Sequence, residues 1–195
     1  MKRITILATA AFAIAGTALA FTEEGRSRFS EFLNGFNEAA NVVSTTGSGT
    51  FRATINREET EISYVLTFKE LEGDVRQAHI HIGLPQNSGG IVLWLCDSAT
   101  NQSPRANTPE CTANDPLNTH AGRATGTLTE ADIQSLAVNG IAGPTATTPG
   151  EFAEIIALIR AGKTYVNVHS TKFPPGEIRS QIDDHHDDHG DHRDR

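Results

Sequence analysis

The chain has 195 residues, 17 glycines, an aromatic fraction of 6% and a formal net charge of −8 at pH 7. An acidic balance of this size argues against a nucleic-acid partner, whose phosphates need a basic surface. Few aromatics with abundant Gly, Thr and Ser favour β structure over a helical bundle. The N-terminus comes first. Met1-Lys2-Arg3, an apolar run from Ile4 to Ala15, and Ala18-Leu19-Ala20 read as a secretory signal peptide cut after Ala20. The run is too short to span a bilayer comfortably. Loss of Lys2 and Arg3 takes the net charge from −8 to −10 and leaves about 175 residues, enough for one domain with a real core. The expectation is a secreted or periplasmic protein with no membrane span in the mature chain.

Arg28 to Leu33 reads as a first strand ended by Asn34-Gly35, and Glu38 to Gly49 as an extended polar loop. Thr50 to Asn56 and Glu61 to Phe68 alternate and form a probable antiparallel hairpin about the turn Arg57 to Thr60. Glu72-Gly73-Asp74 turns the chain into Gln77-Ala78-His79-Ile80-His81-Ile82-Gly83. Ile91 to Cys96 is a continuous apolar run, as in a strand buried on both faces. Cys96 and Cys111, the only cysteines, close a loop rich in turn formers. In an exported chain their default is a disulfide contributing about 3 kcal/mol through loop entropy. His120 to Leu128 is a further strand.

Then the period changes. Thr129-Glu130-Ala131-Asp132 matches a capping box and predicts a short helix through about Val138. Thr148-Pro149-Gly150-Glu151 predicts a second, with an N-cap threonine and proline at the first helical position. Phe152, Ile155, Ile156 and Ile159 form its apolar stripe, and Gly162 ends it. Two more strands follow. About eight strands and two connecting helices make the chain mainly β, a β-sandwich or Greek-key barrel.

Three of these strands carry the chemistry. Alternation puts Ala78, Ile80 and Ile82 on one side and His79 with His81 on the other. In Tyr165-Val166-Asn167-Val168-His169 the valines oppose Tyr165, Asn167 and His169. In Glu177 to Ile182, Ile178 and Ile182 oppose Glu177, Arg179 and Gln181. Two histidines at i and i+2 reach one ion, and a third from a neighbouring strand completes a three-nitrogen set suited to copper or zinc. His79, His81 and His169 are the candidate ligands. Glu177, Arg179 and Asn167 are candidates to support them from behind, with Glu177 also an option as fourth ligand. His120, at a loop end beside Asn118, fits a solvated surface role.

Beyond Ile182 the composition turns to histidine and aspartate. Residues 183–195 have nothing apolar to bury and are expected to be disordered. His185, His186, His189 and His192 make this tail a candidate binder of divalent transition metals, or a solubilising charged tail.

Leu33 to Glu38, Thr46 to Thr50, Ala78 to Gly83, Gly126 to Thr129, Ala161 to Ser170 and Phe173 to Arg179 together resemble the chordin-type family, the CHRD domain. The blocks run in the family's order over about Phe29 to Ile182, so residues 21–182 are assigned to a CHRD domain. Ser180, where the family often has glycine, and the stapled loop at Cys96 to Cys111 depart from its pattern. The resemblance implies an immunoglobulin-like β-sandwich or barrel. The family takes its name from chordin, an antagonist of bone morphogenetic proteins, but nothing here matches a growth-factor contact motif. Three function classes stay open. One is a non-enzymatic binding or structural module toward an extracellular or periplasmic ligand or protein, its polar face a hydrogen-bonded network in which Arg179 holds Glu177. Another is a metal-holding module, in the strands or through the tail. The third is a copper-only enzyme similar to copper-zinc superoxide dismutase; the histidine-aspartate cluster that holds zinc there is missing here.

Overall fold

A computed structural model describes residues 27–39, 41–104, 107–112, 115 and 117–183; the expected signal peptide and residues 184–195 of the tail lie outside these. Eight antiparallel strands form one nearly closed, barrel-like sheet. They are β1 (Arg28–Asn34), β2 (Ser48–Ile55), β3 (Ile62–Lys69), β4 (Val75–Ile82), β5 (Ile91–Cys96), β6 (Gly122–Leu128), β7 (Thr164–Ser170) and β8 (Ile178–Ile182). Their order is β5-β4-β7-β8-β1-β2-β3-β6. The two edge strands, β5 and β6, approach each other across the seam. The Tyr64 hydroxyl donates to the Leu95 carbonyl at 2.6 Å, tying β3 to β5. The Cys96–Cys111 disulfide forms and ties the end of β5 to the connection leading to β6.

The alternation read from the sequence sets the interior. Phe29, Leu33, Phe51, Leu66, Ala78, Ile80, Val166, Val168 and Ile178 are buried in one apolar cluster. The outer face is treated unequally around the barrel. On β2, β3 and β6 it carries exposed residues such as Arg52, Ser63 and Thr125. On β4, β5 and β7 almost every residue is buried on both faces, as the apolar run of β5 predicts. A layer of loops covers that half from outside.

The helical expectations change. The Thr129 capping box is present, but it starts a single 3-10 turn, Glu130–Asp132, and a second turn follows at Ala137–Asn139. Gln134 stops the helix from growing. Its backbone N–H donates to Val92 O at 2.8 Å and its side chain accepts from Trp94 Nε1 at 2.8 Å, so the segment covers the edge of β5. Edge protection outweighs local helix preference here. The one α-helix among the described residues, α1 (Phe152–Arg160), starts at Phe152 and not at Pro149. Glu151 explains the delay: its carboxylate accepts from the Ala142 N–H at 2.6 Å, and Thr148 is engaged with Thr145 in a turn. The predicted stripe holds, with Phe152, Ile155, Ile156 and Ile159 all buried. Ile159 lines one small apolar pocket together with Phe29, Phe51, Ile55, Ile62, Ile80 and Ile182, so α1 packs its stripe into the same core.

Candidate metal centre

The register of β4 against β7 assembles the imidazoles. His79 lies opposite Asn167, His81 opposite Tyr165 and Gln77 opposite His169. His79 is 0% exposed, and His81 and His169 are each 6% exposed. They lie on the outer face of the sheet, yet the loops seal them as fully as the core. Neighbouring strands add walls. Trp94, opposite His79 on β5, meets that ring edge-on with centroids 4.2 Å apart. Tyr165 stacks flat on His81 at 4.7 Å, and the Arg179 guanidinium stands 3.3 Å from the Tyr165 ring centroid.

Hydrogen bonds to backbone carbonyls decide which nitrogens carry protons. His81 Nδ1 lies 3.0 Å from Gly89 O, and His169 Nδ1 lies 2.8 Å from Pro174 O. A carbonyl only accepts, so both Nδ1 atoms donate and both Nε2 atoms are left as bare lone pairs. His169 Nε2 lies 3.2 Å from His79 Nδ1. His79 Nε2 and His81 Nε2 are buried and make no hydrogen bond within 3.5 Å among the described groups, although the Asn167 side chain acts weakly on the His81 ring. One nitrogen from each of the three rings falls within 4.8 Å of the other two.

The rings are neutral, which is the form that binds metal. Burial pushes His81 down to about 3 and His169 down to about 4, and holds His79 well below the ordinary imidazole value. Charge on a neighbouring histidine, and on Arg179 or Arg76, pushes the same way.

The covering loop is itself held from the sheet. Arg179 on β8 donates to Asn87 O at 3.0 Å and Leu84 O at 2.9 Å, and Gln181 donates to Gly83 O at 2.9 Å. The Gly89 N–H donates to the Tyr165 hydroxyl at 2.9 Å. Only glycine fits there, because a Cβ on residue 89 would lie 1.7 Å from Ile82 O. On the other side Asn167 Nδ2 donates to Glu38 Oε1 at 3.1 Å, its Oδ1 is buried with no hydrogen bond within 3.5 Å, and the same side chain acts weakly on His81. Burial raises Glu38 to about 7, against the lowering pull of Arg179 and of the Asn167 bond.

Of the residues singled out in the sequence, His79, His81, His169, Asn167 and Arg179 meet in one place. Glu177 does not join them. It precedes β8, and its Oε1 accepts from Thr45 Oγ1 and from the Glu72 N–H, each at 2.6 Å. Arg179 therefore holds the loop and not Glu177. His120 has a half-exposed side chain, with Nδ1 2.5 Å from Leu71 O, in keeping with its surface reading. Four contributors carried no local signal: Trp94, hidden in an apolar run, Glu38, and the carbonyls of Gly89 and Pro174. Ser88-Gly89-Gly90 was the one hint, since paired glycines mark close backbone approach.

The chain is a disulfide-stapled β-barrel with an imidazole cluster sealed between its outer face and a loop layer. The family model for the CHRD domain matches residues 29–182, nearly all of the described chain, and the protein belongs to the CHRD family. No curated protein and no solved structure matches it. A CHRD assignment and a disulfide fit an extracellular or periplasmic binding module, and among the described residues no helix is long and apolar enough to cross a membrane.

Proposed function

We propose that this protein is an exported binding module that holds one copper or zinc ion on His79, His81 and His169. The observation that carries the reading is the set of bare nitrogens. Leaving a buried acceptor unpaired costs about 1–3 kcal/mol, so the unpartnered His81 Nε2, in a sealed pocket with a nitrogen of each of two further imidazoles within 4.8 Å, calls for a cation. The geometry agrees. Two nitrogens bound at about 2.0–2.1 Å to one tetrahedral ion stand about 3.3 Å apart, and His79 Nδ1 and His169 Nε2 are separated by 3.2 Å. On binding, His79 gives up its hydrogen bond to His169, its ring proton moves to Nε2, and Nδ1 presents a lone pair. His81 and His169 bring Nε2, their tautomers already set by Gly89 and Pro174.

The loop layer favours holding over catalysis. Metal sites that turn over substrate keep an open position, whereas structural sites are closed. This supports a non-enzymatic module over a copper-only enzyme.

The sole tryptophan reports on the site, because Trp94 contacts His79. The test uses the full chain with His185→Ala, His186→Ala, His189→Ala and His192→Ala, so that the tail does not bind. Titration with Cu(II) should quench Trp94 at one equivalent, and elemental analysis should show one retained ion. His81→Gln or His169→Gln in this background should abolish both while circular dichroism stays β-rich. A folded parent chain that retains no copper or zinc refutes the reading.

A further inference from the structure

The charge around the triad is as informative as its nitrogens. The group formed by His79, His81 and His169 includes no carboxylate and no thiolate among the described residues. The ligands bring no negative charge of their own, because an imidazole binds metal in its neutral form. Two cations stand close instead. Arg179 lies 3.3 Å from the Tyr165 ring centroid, Tyr165 stacks on His81 at 4.7 Å, and the guanidinium opposes positive charge on His81. Arg76 does the same to His169. Glu38 accepts from Asn167, but burial disfavours its ionised form, and when ionised it is matched by Arg179. Glu177 is engaged by Thr45 and the Glu72 N–H. The described residues around the triad therefore supply no net negative charge to offset an ion.

Burial makes that shortage count. The three rings lie under the loop layer, so water is poorly placed to complete a coordination shell or to screen the ion. The cost of burying a charge grows with its square, so a divalent ion is penalised about four times as heavily as a monovalent one in the same pocket. Zinc sites also complete their shell with a fourth protein ligand or a water. Imidazole suits copper, and the rule that places Cu(II) above zinc ranks divalent ions only. A monovalent copper ion needs neither the counter-charge nor the fourth ligand.

We propose that the triad is a Cu(I) site: it holds monovalent copper in preference to Cu(II) and zinc, because the pocket offers three neutral nitrogens and no counter-charge. This rests on the metal reading above and names the ion. Cu(II) and zinc still bind, but more weakly. The preference is for an ion that arrives already reduced, so binding itself moves no electrons. The reading also says where specificity is set. Asn167 presents a neutral amide beside His81, and the carboxylate that a divalent ion would use stands behind it on Glu38. Glu38→Gln combined with Asn167→Asp exchanges the two groups. It reverses their hydrogen bond, keeps both side-chain lengths and the net charge, and brings the carboxylate next to the triad.

The experiment uses the full chain carrying His185→Ala, His186→Ala, His189→Ala and His192→Ala, so that only the triad is read. Dissociation constants are measured for Cu(I) against bathocuproine disulfonate under nitrogen with ascorbate, for Cu(II) against glycine, and for zinc against a chromophoric chelator. Cu(I) should bind about tenfold or more tightly than either divalent ion. In the Glu38→Gln, Asn167→Asp chain, zinc and Cu(II) should each tighten about tenfold or more, with a smaller change for Cu(I). Circular dichroism establishes that this chain is folded, and the comparison of ions in the parent stands without it. A divalent ion held within about tenfold of Cu(I), or more tightly, overturns the preference while leaving the triad standing. Unchanged divalent affinities in the folded double variant overturn charge as its cause. A folded parent that binds none of the three ions overturns the triad, and the preference with it.

Discussion

Lowering the pH from 7.5 to 5 in the presence of a chelator challenges the buried imidazoles directly. His81 and His169 titrate at about 3 and about 4 in the folded chain, against 6.5 for an ordinary histidine. Between those values the unfolded chain holds protons that the folded chain refuses. Their stabilisation is whole above pH 6.5 and is lost as the pH falls toward the folded values. At pH 5 each has lost about 1.5 pH units' worth, or about 2 kcal/mol at 1.36 kcal/mol per unit. Together they cost about 4 kcal/mol, and His79, lowered for the same reason, adds to the loss. Glu38 works the other way. Its value is raised from 4.5 to about 7, so its contribution is full below pH 4.5 and is lost as the pH rises through 7. Over the same interval acidification returns about 2 kcal/mol through Glu38. The wild type should therefore lose about 2 kcal/mol or more, and Glu38→Gln, which removes the offset, about 4 kcal/mol or more. Urea midpoints at pH 7.5, 6.5, 5.5 and 5 measure both. Adding His81→Gln and His169→Gln to Glu38→Gln should flatten most of the slope, because all other titrating groups are shared. Equal slopes with and without the two imidazoles would show that they are not buried as neutral rings.

Gly176→Ala tests the Asn167–Glu38 link. Gly176 has φ +143, and a Cβ there would lie 2.2 Å from Asn167 Nδ2, so backbone strain and the broken hydrogen bond should together cost about 3 kcal/mol, read as a lower urea midpoint. Reduction of Cys96–Cys111 restores a loop spanning 15 residues to the unfolded chain and should cost about 3 kcal/mol; an unchanged melting temperature would show that the loop is already ordered by its other contacts. Arg179→Lys keeps the charge but loses the fork that grips Asn87 O and Leu84 O. Hydrogen exchange should then accelerate in residues 84–90 and leave the amides of β1 to β3 unchanged. Tyr64→Phe removes the hydroxyl that ties β3 to Leu95 across the seam, and should lower stability by about 1 kcal/mol in thermal melts.

Alternation is a property of a single strand, and for that reason much was legible in one dimension. His79 and His81 were bound to oppose Ile80 whatever the rest of the chain did, and the same parity put Asn167 and His169 together and Arg179 with Gln181. The helical stripe of Phe152, Ile155, Ile156 and Ile159 was legible for the same reason, since its period needs no partner. Helix boundaries were not. The cap at Thr129 read correctly as local chemistry, whereas Thr148 caps no helix and turns back on Thr145; Gln134 and Glu151 are engaged by β5 and by Ala142, and those contacts stopped or delayed the helices.

What only the tertiary structure decided was which face would be covered. The sequence by itself determined two opposed faces on β4, β7 and β8; it contains no signal that the polar one lies under a lid while the polar side of β2 and β3 stays in water. Coverage is non-local: Glu38 reaches Asn167 across 129 positions and Arg179 reaches Leu84 across 95. Burial then does what composition cannot foretell. It strips water from three imidazoles, favours their neutral form and leaves nitrogens with lone pairs and no proton to share, which is the ground for the proposed ion site. Glu177 shows the converse, because parity placed it with Arg179 but the strand begins one residue later, and the backbone carries its carboxylate to Thr45 and Glu72 instead.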